Sequence, residues 1–174
     1  EIIRLWQQVD GHVYDFDLIS AKPGLVYELD RLYSAKPFLT PHRVSSQGYI
    51  VYQKKKRLKA EYRALNEDQI RELKKKGEVP SESFLDPIVA FTGDTKKEFL
   101  QSDADISLAK VLFVEVTFWD HAKSVAHARH WGHMHFDELL EILPELENER
   151  IVLIHASVRY STRQLEDILD ERIP

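Results

Sequence analysis

The 174-residue sequence contains no cysteine. Disulfides and thiolate metal sites are therefore excluded together, and any metal ion must be held by imidazole and carboxylate groups. A single methionine, six glycines and seven prolines leave little room for a low-complexity or collagen-like chain. No window reaches the roughly 18 apolar residues of a membrane span. The opening Glu1-Ile2-Ile3-Arg4-Leu5 lacks the basic flank and apolar stretch of a signal peptide. These absences predict a soluble protein with no membrane partner, located in the cytoplasm, or in a nucleus or organelle of a eukaryotic cell. Positive charge is also scarce: the net charge of −5 argues against general affinity for nucleic acid, which draws on clustered Lys and Arg.

What is present is more specific. With 43% hydrophobic and 30% charged residues, the composition suits one ordinary globular domain with a core. Eight histidines make a nitrogen and oxygen metal site feasible. The basic residues are unevenly spread, with ten between Lys54 and Lys76 (Lys54, Lys55, Lys56, Arg57, Lys59, Arg63, Arg71, Lys74, Lys75 and Lys76) and a markedly acidic remainder.

Short strands are expected at Ile2 to Trp6, His12 to Ile19, Pro37 to Thr40 and Tyr49 to Tyr52, from their Val, Ile and Tyr content between Gly and Pro breaks. From Leu58 to Lys76 the apolar spacing becomes helical, with Asn66 as an N-cap and Gly77 as the stop. After Pro87 strand and helix alternate. Strands are expected at Ile88 to Thr92, Val111 to Thr117 and Ile151 to Ile154. Helices are expected from Lys96, near His121 to His130, at Phe136 to Ile142 and at Thr162 to Leu169. That alternation is the grammar of an α/β layered fold.

Three apolar runs end in a residue of metal-ligand type. Ile88-Val89-Ala90-Phe91-Thr92-Gly93 leads to Asp94, Ile151-Val152-Leu153-Ile154 leads to His155, and Leu39-Thr40-Pro41 leads to His42. Each ligand type would be held at the rim of a core, and a carboxylate that bridges two metal ions lowers the pKa of a shared water toward neutrality. Taken singly, a histidine after a strand is more often a hydrogen-bonded loop residue, and an Asp in Gly-Asp-Thr a turn residue.

His42-Arg43-Val44-Ser45-Ser46-Gln47-Gly48-Tyr49, Ala90-Phe91-Thr92-Gly93-Asp94-Thr95, Val114-Glu115-Val116-Thr117-Phe118, Gly132-His133 and Leu153-Ile154-His155-Ala156-Ser157-Val158-Arg159-Tyr160 resemble, in that order, the second-half motifs of the ribonuclease Z (tRNase Z) family. The resemblance runs from about residue 35 to 160. It implies a metallo-β-lactamase-like αββα sandwich, with residues 1–174 as a partial domain. This would be the C-terminal half, the N-terminal half being missing, and a basic arm at 54–83 would be inserted in it. His42, Asp94 and His155 would be metal ligands, with Asp94 the bridging carboxylate. Glu115 and His133 would be the catalytic pair that passes a proton to the leaving 3′ oxygen. A Glu that orients an imidazole suits a general acid near neutral pH. The implied cofactor is zinc, two ions in a complete site, with manganese also acceptable to such donors. The implied activity is that of a phosphodiesterase processing the 3′ end of precursor tRNA, and the implied oligomer is a homodimer.

Departures matter. The family's first metal motif, His-x-His-x-Asp-His, has no intact copy here. His133-Met134-His135-Phe136-Asp137-Glu138 imitates it, but follows Glu115 and precedes His155 where the family's His-Ser-Thr segment belongs. The isolated chain is accordingly expected to bind metal poorly. The expected arm lacks a Gly-Pro pair. Its Lys54, Lys55, Lys56, Arg57, Lys59 and Arg63 would track RNA phosphates, or else belong to a solvated helix with pairs such as Glu72 to Lys76. His127, His130 and His133 are spaced three apart, but Gly132 should end their helix before His133. Two other readings stay open: a hydrolase of another phosphodiester or ester on the same scaffold, and a non-catalytic half-domain.

Overall fold

The computed structural model describes residues 2–12, 15 and 17–173, which hold six α-helices and one six-stranded sheet. The strands β1 (Tyr27–Glu28), β2 (Tyr33–Thr40), β3 (Ser46–Leu58), β4 (Ser81–Phe91), β5 (Val111–Glu115) and β6 (Arg150–Ile154) lie in the sheet in chain order. The first four pair antiparallel, whereas β4 with β5 and β5 with β6 are parallel. Parallel neighbours need crossovers. A 3-10 turn at Lys97–Gln101 and α3 (Asp105–Leu108) supply the first, and α4 (Val125–Trp131) with α5 (Phe136–Ile142) the second. The last helix, α6 (Thr162–Arg172), follows β6.

The period-2 alternation of the strands sorts their side chains onto two faces. Phe38, Ile50, Ala90, Leu112 and Val114 point to one side, where they form a single buried cluster with Phe99, Ile106, Met134, Phe136 and Leu139. On the other side Leu39, Tyr49 and Phe91 remain exposed, and Tyr49 lies opposite Phe91, which lies opposite Phe113. Helices therefore cover one face, and the other is an apolar surface open to solvent.

Three sequence expectations are corrected. Ile2 to Trp6 is not a strand but the start of α1 (Ile2–Asp10). Ile2, Leu5, Trp6 and Val9 follow helical spacing, and a five-residue window is too short to separate a period of 2 from one of 3.6. Of the strand expected over His12 to Ile19, Val13, Tyr14 and Phe16 lie outside the described residues, and the others form no strand. The helix expected from Leu58 is shorter. It is a 3-10 turn at Ala60–Tyr62 followed by α2 (Glu67–Lys75), which Asn66 caps by accepting from the Gln69 N–H at 3.0 Å and which Gly77 ends at φ +83°.

The lysine run belongs instead to β3. A register shift between Val51 and Tyr52 separates the inner sheet from an outer ribbon in which Tyr52–Leu58 pairs with Ser81–Pro87. Arg57 stands directly opposite Glu82 and bonds to it at 2.8 Å, and Lys55 reaches Asp86 at 2.5 Å. Such cross-strand charge pairs support a ribbon that has little apolar alternation of its own. On α2 the pairs that form are Asp68 with Arg71 and Glu72 with Lys75, rather than Glu72 with Lys76.

Candidate metal and catalytic site

The ends of β2, β4, β5 and β6 converge with the loop after α4, and each brings one polar residue. At the end of β5 sits Glu115, with no solvent exposure. A buried carboxylate is strongly disfavoured unless donors surround it. Here the Thr95 N–H donates to Oε1 at 3.0 Å, the Thr117 hydroxyl donates to Oε2 at 2.8 Å, and His133 Nδ1 lies 2.9 Å from Oε1. The hydrogen bond to Glu115 raises the His133 pKa above the ordinary histidine value, against the opposing pull of burial.

Thr117 is the link that motif reading left unassigned. Glu115 and Thr117, two apart on an extended segment, face the same way. Thr117 Oγ1 spends its proton on Glu115, so at 3.0 Å from His155 Nδ1 it accepts the ring N–H. The tautomer follows from the network. His155 then carries its lone pair on Nε2, which lies 3.5 Å from Asp94 Oδ1. Two electron-rich atoms that face each other at this separation suit a shared cation, since two bonds of about 2.0–2.2 Å span it near the tetrahedral angle. Backbone strain marks the same place: His155 is the one non-glycine with positive φ among the described residues, at +62°, a conformation that the surroundings must impose.

Asp94 leaves β4 through Gly93, whose φ of +62° makes the turn. His42 lies between β2 and β3. Its Nδ1 accepts from the Val44 N–H at 3.3 Å, while its Nε2 is buried with no hydrogen-bond partner. The His133 ring lies between the other two imidazoles, 5.1 Å from His42 and 5.3 Å from His155 between centroids. Donor atoms of His42, Asp94 and His133 lie within 4.8 Å of one another, as do those of Glu115, His133 and His155. Imidazoles beside a carboxylate, in a purely N/O donor set, fit a divalent cation.

All five residues singled out as ligands or catalysts thus meet at one edge of the sheet. Geometry alone would let His133 serve as a ligand as well as an acid. Gly132, which ends α4 at φ +91°, is a further residue that the site requires. A Cβ there would lie 2.6 Å from His42 Cδ2 and 2.6 Å from the Arg43 nitrogen. The metal-motif mimic is occupied otherwise. His135 caps α5, its Nδ1 accepting from the Asp137 N–H at 3.1 Å and its Nε2 donating to the Asp120 carbonyl at 3.1 Å. Tyr160 fastens the loop after β5, with its hydroxyl 3.1 Å from both the Trp119 nitrogen and Asp120 Oδ1.

The six arm residues do not form one free patch. Lys54, Lys55 and Arg57 are paired with Glu28, Asp86 and Glu82. Lys56, Lys59 and Arg63 have no carboxylate partner among the described residues.

The mixed α/β sheet is that of a metallo-β-lactamase fold, and residues 84–156 match the β-lactamase superfamily domain. The fold is shared with the metallo-β-lactamase fold protein YhfI from Bacillus subtilis, at a TM-score of 0.53 and 15% identity over 95% of this chain and 54% of that one. Among curated proteins the chain is similar to tRNase Z proteins. It is 37% identical to tRNase Z TRZ1 of Arabidopsis thaliana over 99% of its own length and 62% of the relative's. It is 36% identical to the chloroplastic tRNase Z TRZ2 of the same plant over 96% of its length and 47% of the relative's. The chain spans about half to three-fifths of these curated relatives. No helix among the described residues is long and apolar enough to cross a membrane.

Proposed function

We propose that this chain forms the proton-donating wall and part of the ligand set of a zinc-dependent phosphodiesterase that cuts RNA at the 3′ end of precursor tRNA. The observation that carries the reading is the convergence of Asp94 and His155 with the Glu115–His133 pair, 3.5 Å and 2.9 Å apart respectively. His42, Asp94 and His155 would hold the ion, zinc or manganese. When bound, such an ion supplies Lewis-acid chemistry toward a phosphodiester and activates water. The protein's own part is to place a proton. Glu115 keeps the Nδ1 proton of His133 in place and favours the charged ring, so Nε2–H is presented to the departing 3′ oxygen. Lys56, Lys59 and Arg63 would meet RNA phosphates along the arm.

The test uses the whole protein, with metal content read by mass spectrometry and cleavage read on precursor tRNA. His155→Ala should lose zinc on dialysis. His133→Ala should keep zinc while the cleavage rate falls about 10²- to 10⁴-fold. Equal zinc loss in both variants makes His133 a ligand. Hydrolysis of a chromogenic phosphodiester without cleavage of precursor tRNA overturns the RNA substrate.

A further inference from the structure

Beside the histidine cluster lies an arrangement that neither ligation nor proton transfer uses. Trp131, the last residue of α4, is 43% exposed, although tryptophan is on average a well-buried residue. The Arg43 guanidinium sits over its ring, 4.9 Å from the centroid, and His130 meets it edge-on at 5.5 Å. Both planes are tied to the site through the chain. Arg43 follows His42, Trp131 precedes Gly132 and His133, and the Gly132 backbone lies against the His42 ring. A shift of either plane would be felt at His42.

The charge around this ledge is unneutralised. Arg43, Lys123 and Arg159 have no carboxylate partner among the described residues; Arg159 contacts only the Tyr160 ring, at 5.4 Å. The His127 ring lies 6.4 Å from the Trp131 ring, and burial first, then the charges of Lys123 and Arg159, hold its imidazole below the ordinary pKa. A cation stacked on an exposed ring contributes little to a fold. That is small compensation for gathering like charges around an uncovered indole. The same combination of a flat aromatic, a guanidinium plane and free cations is how proteins hold single-stranded RNA, the planes taking bases and the charges taking phosphates.

We propose that Trp131 and Arg43 form a stacking ledge for an unpaired nucleobase of the RNA strand next to the scissile phosphate. This inference rests on the reading of the site as an RNA-cutting centre. It adds a base-holding element on the body of the protein, apart from the arm.

The experiment measures binding, with no cleavage. Whole protein in EDTA is titrated with a fluorescent single-stranded RNA of about six nucleotides and with a strand of the same phosphates carrying abasic residues. One stacked base should make the first bind about tenfold more tightly than the second. Trp131→Ala should abolish that preference while leaving weak affinity for both strands, and Trp131→Phe, which keeps an aromatic plane, should retain most of it. In the unsubstituted protein the base-bearing strand alone should quench indole fluorescence, and the quench should vanish in Trp131→Phe. Equal affinity for the two strands in the unsubstituted protein, or a preference that survives Trp131→Ala, overturns the ledge. Because no cleavage is read, a protein that shows the preference yet leaves precursor tRNA intact overturns the nuclease reading alone.

Discussion

Replacing Gly132 by alanine adds one methyl group at the point where the chain after α4 touches His42. Two penalties combine. An L-residue at φ +91° costs about 1–2 kcal/mol. The new Cβ, 2.6 Å from both the Arg43 backbone nitrogen and His42 Cδ2, meets atoms that cannot swing away, and overpacking of this kind costs about 1–3 kcal/mol. For a domain of this size the sum of about 2–5 kcal/mol lowers Tm by roughly 4–20 °C. Gly77→Ala isolates the first penalty, because Gly77 has φ +83° but nothing within 4 Å of a Cβ; its Tm should fall by roughly 2–8 °C. The assay is a thermal melt of both variants by circular dichroism, followed by zinc content after dialysis. Gly132→Ala should melt lower than Gly77→Ala and should alone lose zinc, since His42 must move. Equal melting points with zinc retained in both would refute the argument that the glycine exists to admit the His42 ring.

Other outcomes follow from the same structure. Tyr52→Phe removes the hydroxyl that donates to Asp105 at 2.7 Å beside Lys36, and a urea titration should show a loss of about 1–2 kcal/mol. Glu98 is pushed up by burial but brought below its ordinary pKa by its hydrogen bond from Arg129. Its stabilising contribution is therefore full above the unfolded carboxylate pKa and is lost as pH falls through the lower folded value. Glu98→Gln should flatten the acid limb of a Tm-against-pH curve and leave its neutral region with the smaller change in slope. On the arm, alanine at Lys56, Lys59 or Arg63 should each reduce the salt-dependence slope of tRNA binding by about one. Lys55→Ala, which breaks a pair with Asp86, should change that slope less, and unchanged slopes at all four positions would remove the arm from the interface.

The candidate site's residues stand out in the sequence because they sit at local punctuation. An apolar strand followed at once by Asp94 or His155 is visible in a few residues, as are the Asn66 cap and the Gly77 stop. The geometry also brings together the five residues that the motifs singled out. Three things were not legible, each for a different physical reason. The outer half of β3 shows no apolar alternation, because Lys55 and Arg57 are paired with carboxylates 31 and 25 residues away in β4, so pairing outweighs local propensity. Helix α1 is too short for a five-residue window to reveal its period. Thr117 and Gly132 act through what they touch, a hydroxyl bonded to both Glu115 and His155 in one case and absent volume in the other, and a single sequence records neither. Of the six basic arm residues, composition could not say which were already neutralised.

The irregularity between Val51 and Tyr52 has a consequence for how such proteins diversify. Beyond it, the ribbon can be lengthened or shortened by matched pairs of residues without altering the pleat that fixes Gly48, Tyr49 and Phe91 on the near side. The length of the ribbon is thereby decoupled from the placement of the strand-end residues, and a designer can vary the one while the other stays fixed.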